Sequence, residues 1–514
     1  MRSYVCGRTE VCTSLAERSF CSTGSLAGSD TVADFCGAES CATAQTLPDD
    51  ILLEIFKYHR LAFLRSGPWK WYRLAQVCRR WRFVIFTYPR LLHLCIFVST
   101  NTNPIREIPD FWPVDLPVIL WYRSLLSVED EENIFDMLKN PGRICEMDID
   151  MTCFLLEKCA SLLEESFPAL EYLRLGSQRT ASCSRGLRGA LLFPDNFLGN
   201  SAPRLRVVHL QNTVFPTLLR LLSTSKRLVS LQLEHIPAER IFTAQDLAVG
   251  LSATPQLEFL KIGIHGALVH RSSRENELAP RTVLPALLQL QYMGGSSYLD
   301  DFASRINTPN IEQIEATFAG DFDVYNTHEL CGLFARVEEL ESSRRHTTHI
   351  RFFEESVVFE HQFTRSTTSS PVSFRVRLAD PDWLHSNIVF VRQICLGFQS
   401  VGIMHKVTQV EIERFSAPSS RDREVDIDSW LSLFHALSSV KRLLVVGTLV
   451  SIVISALVQV SRDATVEKIL PALRDLHLPD EPGTSADIEP FVTARKSYGL
   501  PVLVHYKGLD WRVG

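Results

Sequence analysis

The densest group of side chains able to bind a metal or an anion is His346 and His349, three residues apart and flanked by Arg344, Arg345 and Arg351. A zinc centre draws three or four ligands from imidazole, thiolate and carboxylate, and no thiol or carboxylate joins this pair at ligand spacing. The two histidines and their arginines therefore read as a solvated loop. Glu338, Glu339 and Glu341 could in principle set a general acid against a base, but no spacing rule singles out a pair, and they read as one polar face. Thirteen cysteines are scattered along the chain, five of them at Cys6, Cys12, Cys21, Cys36 and Cys41. None forms a C-x-x-C pair, so they are expected as free thiols of a reducing compartment, cytoplasmic or nuclear. Cys78 has arginine neighbours that could lower its pKa, yet it falls on an apolar stripe and reads as a packing residue. Glycine-rich phosphate loops, H-E-x-x-H and G-x-S-x-G are absent from the sequence. These side chains predict a binding protein with no catalytic residue, no metal and no cofactor.

The bulk numbers agree with that expectation. A chain of 514 residues can build two or three domains and a large core. Acidic side chains exceed basic ones, 59 against 53, which leaves no basic face for nucleic acid. The first residues carry no continuous apolar run of the kind a signal peptide needs. Leu443 to Val460 is uncharged and long enough to be considered as a membrane span. Gly447, Thr448, Ser451, Ser455 and Gln459 interrupt it, however, and it divides into a short apolar strand up to Val446 and a helical stretch from Val450. No membrane contact is expected; a membrane-anchored receptor is the rival that this segment motivates.

Residues 1–44 are rich in Ser, Thr, Cys, Gly and Ala and are expected to be a disordered tail, because they bury too little apolar surface to offset the entropy of ordering. Order is expected to begin at Leu47-Pro48-Asp49-Asp50. Proline suits the first turn of a helix and the aspartates suit the positive end of its dipole. Ile51, Leu52, Ile55 and Phe56 then recur at helical spacing. Beyond the aromatic loop Gly67-Pro68-Trp69-Lys70-Trp71, a second helical stripe runs through Leu74, Val77, Cys78, Trp81 and Val84 until Pro89. The strings LPDDILLEIFKYH, LAQVCRRWRFVIF and YPRLL resemble the F-box motif. The resemblance rests on Leu47-Pro48, Ile55-Phe56 and Val77-Cys78-Arg79-Arg80-Trp81. It implies that Leu47, Pro48, Ile51, Leu52, Ile55, Phe56, Val77, Cys78 and Trp81 face a Skp-type adaptor, the first helix contributing more contact than Trp81. Two departures are an insertion of some seven residues between the halves and His59 where a leucine usually closes the first helix.

After a Pro-rich linker and lead-in helix over 100–140, a repeat of the form L-x-x-L-x-L takes over. It occurs at Ile144/Met147/Ile149, Leu170/Leu173/Leu175, Leu205/Val208/Leu210, Leu228/Leu231/Leu233, Leu257/Leu260/Ile262 and Leu287/Leu290/Tyr292. Weaker copies are Ile311/Ile314/Ala316, Val407/Val410/Ile412 and Val440/Leu443/Val445, and the last is Leu473/Leu476/Leu478. The segment 337–406 breaks the pattern, although Phe374, Val376 and Leu378 alternate as in a strand. Such repeats resemble the leucine-rich repeat, in which short strands stack and share one core. The expected fold class is α/β: a small F-box-like helical unit over 45–99, then an irregular leucine-rich-repeat horseshoe of short parallel strands and helices over 141–514. FPALEYLRL, PDNFLGNSAPRLRVVHLQN, KILPALRDLHL and FVTARKSYGLPVLVHY together resemble a large, expanded, basidiomycete-type group of fungal F-box proteins. That resemblance implies the substrate-recognition subunit of a cullin-RING ubiquitin ligase, joined through the Skp-type adaptor to a cullin scaffold. The alternative is a repeat scaffold whose F-box no longer engages the ligase. The unknown target protein is expected on the residues between the leucines, at Tyr172, Arg174, His209, Gln232, Phe259 and Lys261.

Overall fold

The computed structural model describes residues 47–63, 72–88, 96–99, 116–123, 131–178, 191–238, 241–265, 281–319, 328–339, 346–353, 356–364, 371–379, 384–414, 427–462, 467–480 and 484–507. The N-terminal tail, the aromatic loop at 67–71 and most of the Pro-rich linker lie outside these residues. The chain separates into two compact units, Met1–Ile55 and Phe56–Gly514.

The helix α1 (Asp49–Phe63) begins where the sequence places it, with Asp49 and Asp50 in the first turn and the amide of Leu52 donating to the carbonyl of Pro48. The second helical stripe, expected as one helix, is two: α2 (Tyr72–Val77) and α3 (Arg79–Thr87). Cys78 breaks it. Its backbone is extended, and its Sγ accepts the amide hydrogen of Trp81 at 3.4 Å, so the residue that falls on the stripe by periodicity serves as a helix cap.

The body is a mixed α/β structure built on a sixteen-stranded sheet. Its chain order opens with β1 (Ile96–Ser99), β2 (Val118–Arg123), helix α4 (Glu131–Leu138), β3 (Ile144–Thr152), helix α5 (Cys153–Ala160) and β4 (Tyr172–Gln178). A two-residue strand β5 (Leu191–Leu192), then β6 (Val207–Gln211), the equally short β7 (Thr213–Val214), helix α6 (Leu218–Thr224) and β8 (Ser230–Pro237) follow. Next come helix α7 (Ala244–Leu251), β9 (Phe259–His265), β10 (Thr282–Val283), β11 (Gln289–Gly294), helix α8 (Ser296–Arg305), β12 (Ile306–Asn307) and β13 (Gln313–Ala319). β5 pairs with β7 and β10 with β12 in two small sheets of their own. All residues of the ten copies of the repeat frame are buried. They are also in register: Met147 pairs with Leu173, Leu173 with Val208, and the same row runs on through Leu231, Leu260 and Leu290 to Ile314. Alternate strand residues point to opposite faces, so this register puts every frame leucine on one buried face and the residues between them on the other.

The irregular segment has its own topology. Helix α9 (His328–Glu339) leads to β14 (His346–Phe352), β15 (Ser356–Thr364) and β16 (Pro371–Ala379), an antiparallel meander. It enters the sheet backwards. β16 lies beside β13 and β14 lies on the far side, so the spatial order is β13-β16-β15-β14. Helix α10 (Leu384–Ser400) then returns the chain to β17 (Gln409–Arg414), which pairs with β14. The alternation at Phe374, Val376 and Leu378 is thus real, and all three are buried. His346 and His349 are on strand β14, not in a loop. Three apart, they face opposite ways: His346 stacks on His361 and Phe363, whereas His349 reaches Glu411 at 2.9 Å.

Helix α11 (Ile427–Ala436), β18 (Arg442–Gly447), helix α12 (Val450–Arg462), β19 (Asp475–Pro479), helix α13 (Thr484–Ser497) and β20 (Leu503–Lys507) complete the chain. The uncharged stretch 443–460 is therefore a strand and a helix, turning at Gly447 (φ +83°). Among the described residues no helix is long and apolar enough to cross a membrane. Cys78, Cys145, Cys159, Cys331 and Cys395 are thiols, but Cys153 is in a disulfide, which corrects the expectation of thiols throughout.

Candidate functional site

Two surfaces carry the side chains that the sequence singles out. On α1, Leu52 and Phe56 are buried, because they fall on its core-facing stripe. Phe56 meets Trp81 edge-on with ring centroids 5.0 Å apart, and Trp81 is half-buried. Leu52 and Phe56 are both among the residues expected to face the adaptor. Ile51 and Ile55 are instead 44% and 41% exposed, and Tyr58, one turn on, is 78% exposed. Positions i, i+4 and i+7 share one helix face, so these three form an apolar stripe turned to solvent. Pro48 is exposed and Leu47 half-buried. Val77 on α2 and Phe83 on α3 are also exposed, and Cys78 is half-buried in its capping role. Tyr58 and Phe83 were not singled out by the sequence. Tyr58 could have been, by carrying the Ile51–Ile55 spacing one turn further.

Residues 44–92 match the F-box-like family. The matched segment contains α1, α2 and α3, and F-box domains commonly bind Skp-type adaptors. No curated protein matches the chain.

The second surface is the face of the sheet opposite the frame leucines. Tyr172, Arg174, His209, Gln232, Phe259 and Lys261 all lie on it, each half-buried. Arg174, His209, Gln232 and Lys261 occupy one cross-strand row, and Tyr172 and Phe259 the adjacent one. The charges are satisfied locally: Arg174 meets Asp148 at 3.3 Å, and Glu234 lies 3.5 Å from His209 and 2.7 Å from Lys261. His209 and Lys261 together hold the Glu234 carboxyl down to about 2.

The row continues across the meander, where the sequence offered no leucine frame to locate it. Glu360 is buried beneath two guanidiniums: Arg375 at 2.9 Å and Arg351 at 3.3 Å. Arg375 also lies 3.9 Å from Glu315, and Arg351 lies 3.4 Å from Glu413. On β17, Glu411 and Glu413 lie two residues apart and face the same way. Burial and the neighbouring Glu411 push the Glu413 carboxyl up to about 7. Of these residues, Glu315, Glu411 and Glu413 could have been found in advance, as positions flanking Ala316 or Ile412 in their frames. Among the described residues there is no group of three His, Cys, Asp or Glu side chains that could hold a metal ion.

Proposed function

We propose that this chain is the substrate-recognition subunit of a cullin-RING (SCF-type) ubiquitin ligase. In this reading the segment 44–92 docks onto a Skp-type adaptor, which links it to a cullin scaffold. The sheet is the wall of a leucine-rich-repeat-like domain that presents a target protein, in the manner of the expanded fungal F-box group that the sequence resembles. The observation that carries the reading is the solvent-facing stripe Ile51, Ile55 and Tyr58 inside the matched segment. Three apolar side chains on one helix face have no reason to stand in water unless a partner covers them. The chain supplies no catalytic residue and works by proximity, holding target lysines near the charged ubiquitin carrier at high effective concentration, in the cytoplasm or nucleus. The buried, in-register frame and the polar residues on the opposite face support the target-binding half.

The test is co-purification with the adaptor. Ile51→Glu combined with Ile55→Glu is expected to abolish capture of the adaptor, since charging two central apolar anchors of an interface typically costs several kcal/mol. Circular dichroism and the thermal transition should be unchanged, because both side chains are exposed. Undiminished adaptor capture by the folded variant would transfer the chain to the scaffold reading. For the target half, Tyr172→Ala with Arg174→Ala and Phe259→Ala with Lys261→Ala should each reduce the set of proximity-labelled partners while adaptor capture persists.

A further inference from the structure

Over β11–β17 the face opposite the frame leucines carries two neighbouring rows of different chemistry. One is charged and engaged with itself: Gln291 donates to Glu315 at 3.4 Å, Arg375 and Arg351 share Glu360, and His349 meets Glu411. The row beside it holds no charge. Gln289 pairs with Gln313, Gln313 with Ser373, Ser373 with Gln362 and Gln362 with Thr347. One step before the Thr348–Val410 pair, Thr347 lies beside Gln409. All six are half-buried. Three of these strands belong to leucine frames and three to the meander, yet each supplies an amide or a hydroxyl at the same level. On earlier strands that level carries Tyr172, Val207, Ser230 and Phe259, so the neutral row is no by-product of the repeat.

Most of the hydrogen-bonding capacity of this row is unspent. Among the described residues the side chains of Gln289, Gln313, Ser373 and Thr347 make no hydrogen bond. Gln362 commits its Nε2 to Glu360 and Gln409 its Oε1 to Arg442, which leaves each with half of its amide. Amides and hydroxyls both donate and accept, whereas a carboxylate only accepts and a guanidinium only donates. Such a row matches a neutral ligand in which donors and acceptors alternate, as N–H and C=O do along a main chain. Five inter-strand steps of about 4.8 Å span about 24 Å, the length of about seven extended residues. A segment lying along the row crosses the strands, so side chains must supply the bonds that a ladder would give. Among the described strand residues, the one phenyl ring adjoining the row is Phe259, beside Gln289 at its end. A sugar chain would need such rings along its length to rest on.

We propose that this row binds an extended, uncharged segment of a partner protein through its main chain, laid across β11–β17. The inference rests on the reading that targets dock on this sheet face, and it names the part of the target that is held. A charged side chain in the segment gains nothing from amides, and its desolvation counts against it. Recognition here is therefore tolerant of sequence but intolerant of charge and of a blocked backbone N–H.

Peptide arrays probed with the full chain test this. One array holds peptides of alanine, serine, threonine, valine and glutamine; two others carry lysine or glutamate at every third position. The uncharged peptides are expected to bind best. The strongest of them, resynthesised with a fluorescent label, should bind at least about fivefold more weakly in anisotropy titrations once alternate backbone amides are N-methylated. Gln289→Ala with Gln313→Ala should weaken the unmodified peptide to a similar degree, and the N-methylated peptide makes the same test without altering the protein. Gln256→Ala with Gln399→Ala, two exposed glutamines outside the row, should change nothing. The inference is overturned if no uncharged peptide binds, if the lysine or glutamate peptides bind as well, or if either N-methylation or the row pair leaves affinity unchanged. It is overturned too if maltoheptaose binds instead with the same dependence on Gln289 and Gln313, which would make the row a glycan surface. The paired substitutions on β4 and β9 keep the two readings apart: if they still reduce partner labelling, targets use the face and only the main-chain assignment falls.

Discussion

Arg495 offers the sharpest test of how the C-terminal end of the sheet is held. It sits on α13 with no solvent exposure at all. Its guanidinium donates to the carbonyls of Leu470, Leu473 and Leu500 at 3.0–3.1 Å, and at longer range to those of Ile469 and Pro471. One side chain thus satisfies the turn entering β19 and the end of α13 together. Arg495→Met keeps most of the stem and its packing near Phe491 but strands these carbonyls. Three short charge-assisted bonds at roughly 1.5–3 kcal/mol each represent a gross loss of about 4–9 kcal/mol. Relief from burying a cation, several kcal/mol, offsets part of that loss, leaving a net cost of about 3–5 kcal/mol. Urea unfolding followed by circular dichroism should show the lower midpoint. Hydrogen exchange should localise it to 467–480 and 484–507. A variant as stable as the parent chain would mean that desolvation cancels the carbonyl contacts, and Arg495 would then be no keystone.

Three further expectations follow from buried or strained positions. His361 is fully buried, bonded to Thr348 at 2.9 Å and stacked on His346, and burial holds the two imidazoles down to about 3 and about 4. The unfolded chain takes up protons below about pH 6.5, so stability is complete above that value and falls as pH drops towards the folded values, by up to about 1.4 kcal/mol per pH unit for each histidine. Denaturation midpoints between pH 7.5 and 5 should show the slope, and His361→Gln should reduce it. Gly447→Ala should destabilise by several kcal/mol, since φ is +83° and the new Cβ would run into the Arg414 carbonyl; a thermal shift within error would contradict the turn. Leu260→Ala, in the middle of the buried row, should cost about 2–5 kcal/mol in the same assay.

The repeat frame was legible because burial and register act on the same residues. Leu173, Val208 and Leu231 are spaced in the sequence as they are stacked in the sheet, so periodicity alone locates them. Cys78 was half legible. Its stripe position was correct, but nothing in a 3.6-residue period announces that a thiol will accept an amide hydrogen and split the helix. The meander was illegible as topology. Phe374 and Val376 show a strand, but the order in which three strands enter a sheet is set by long-range pairing, which leaves no local mark. Arg495 was missed for a related reason. An arginine near a helix end reads as a solvated partner of the helix dipole, and only the folding-back of 469–473 turns it inward. On α1, spacing found the helix but not which of its two apolar stripes is exposed.

The reversed entry of the meander has a consequence for how the molecule is assembled. Up to β13, each main-sheet strand pairs with the one made just before it, so the sheet can grow by simple accretion while the chain is being synthesised. β14 breaks that sequence. When it leaves the ribosome, neither of its eventual neighbours, β15 and β17, has been made, and it stays unanchored until β16 reaches β13 and Gln313 finds Ser373. A nascent chain halted within this interval exposes strand edges on both sides of the gap, the state most prone to mispairing. Truncations should therefore be tolerated very unevenly: a chain ending after β13 stops on a strand already paired with β11, whereas one ending after β14 leaves that strand unpaired and one ending after β15 leaves the β14–β15 hairpin detached from the sheet.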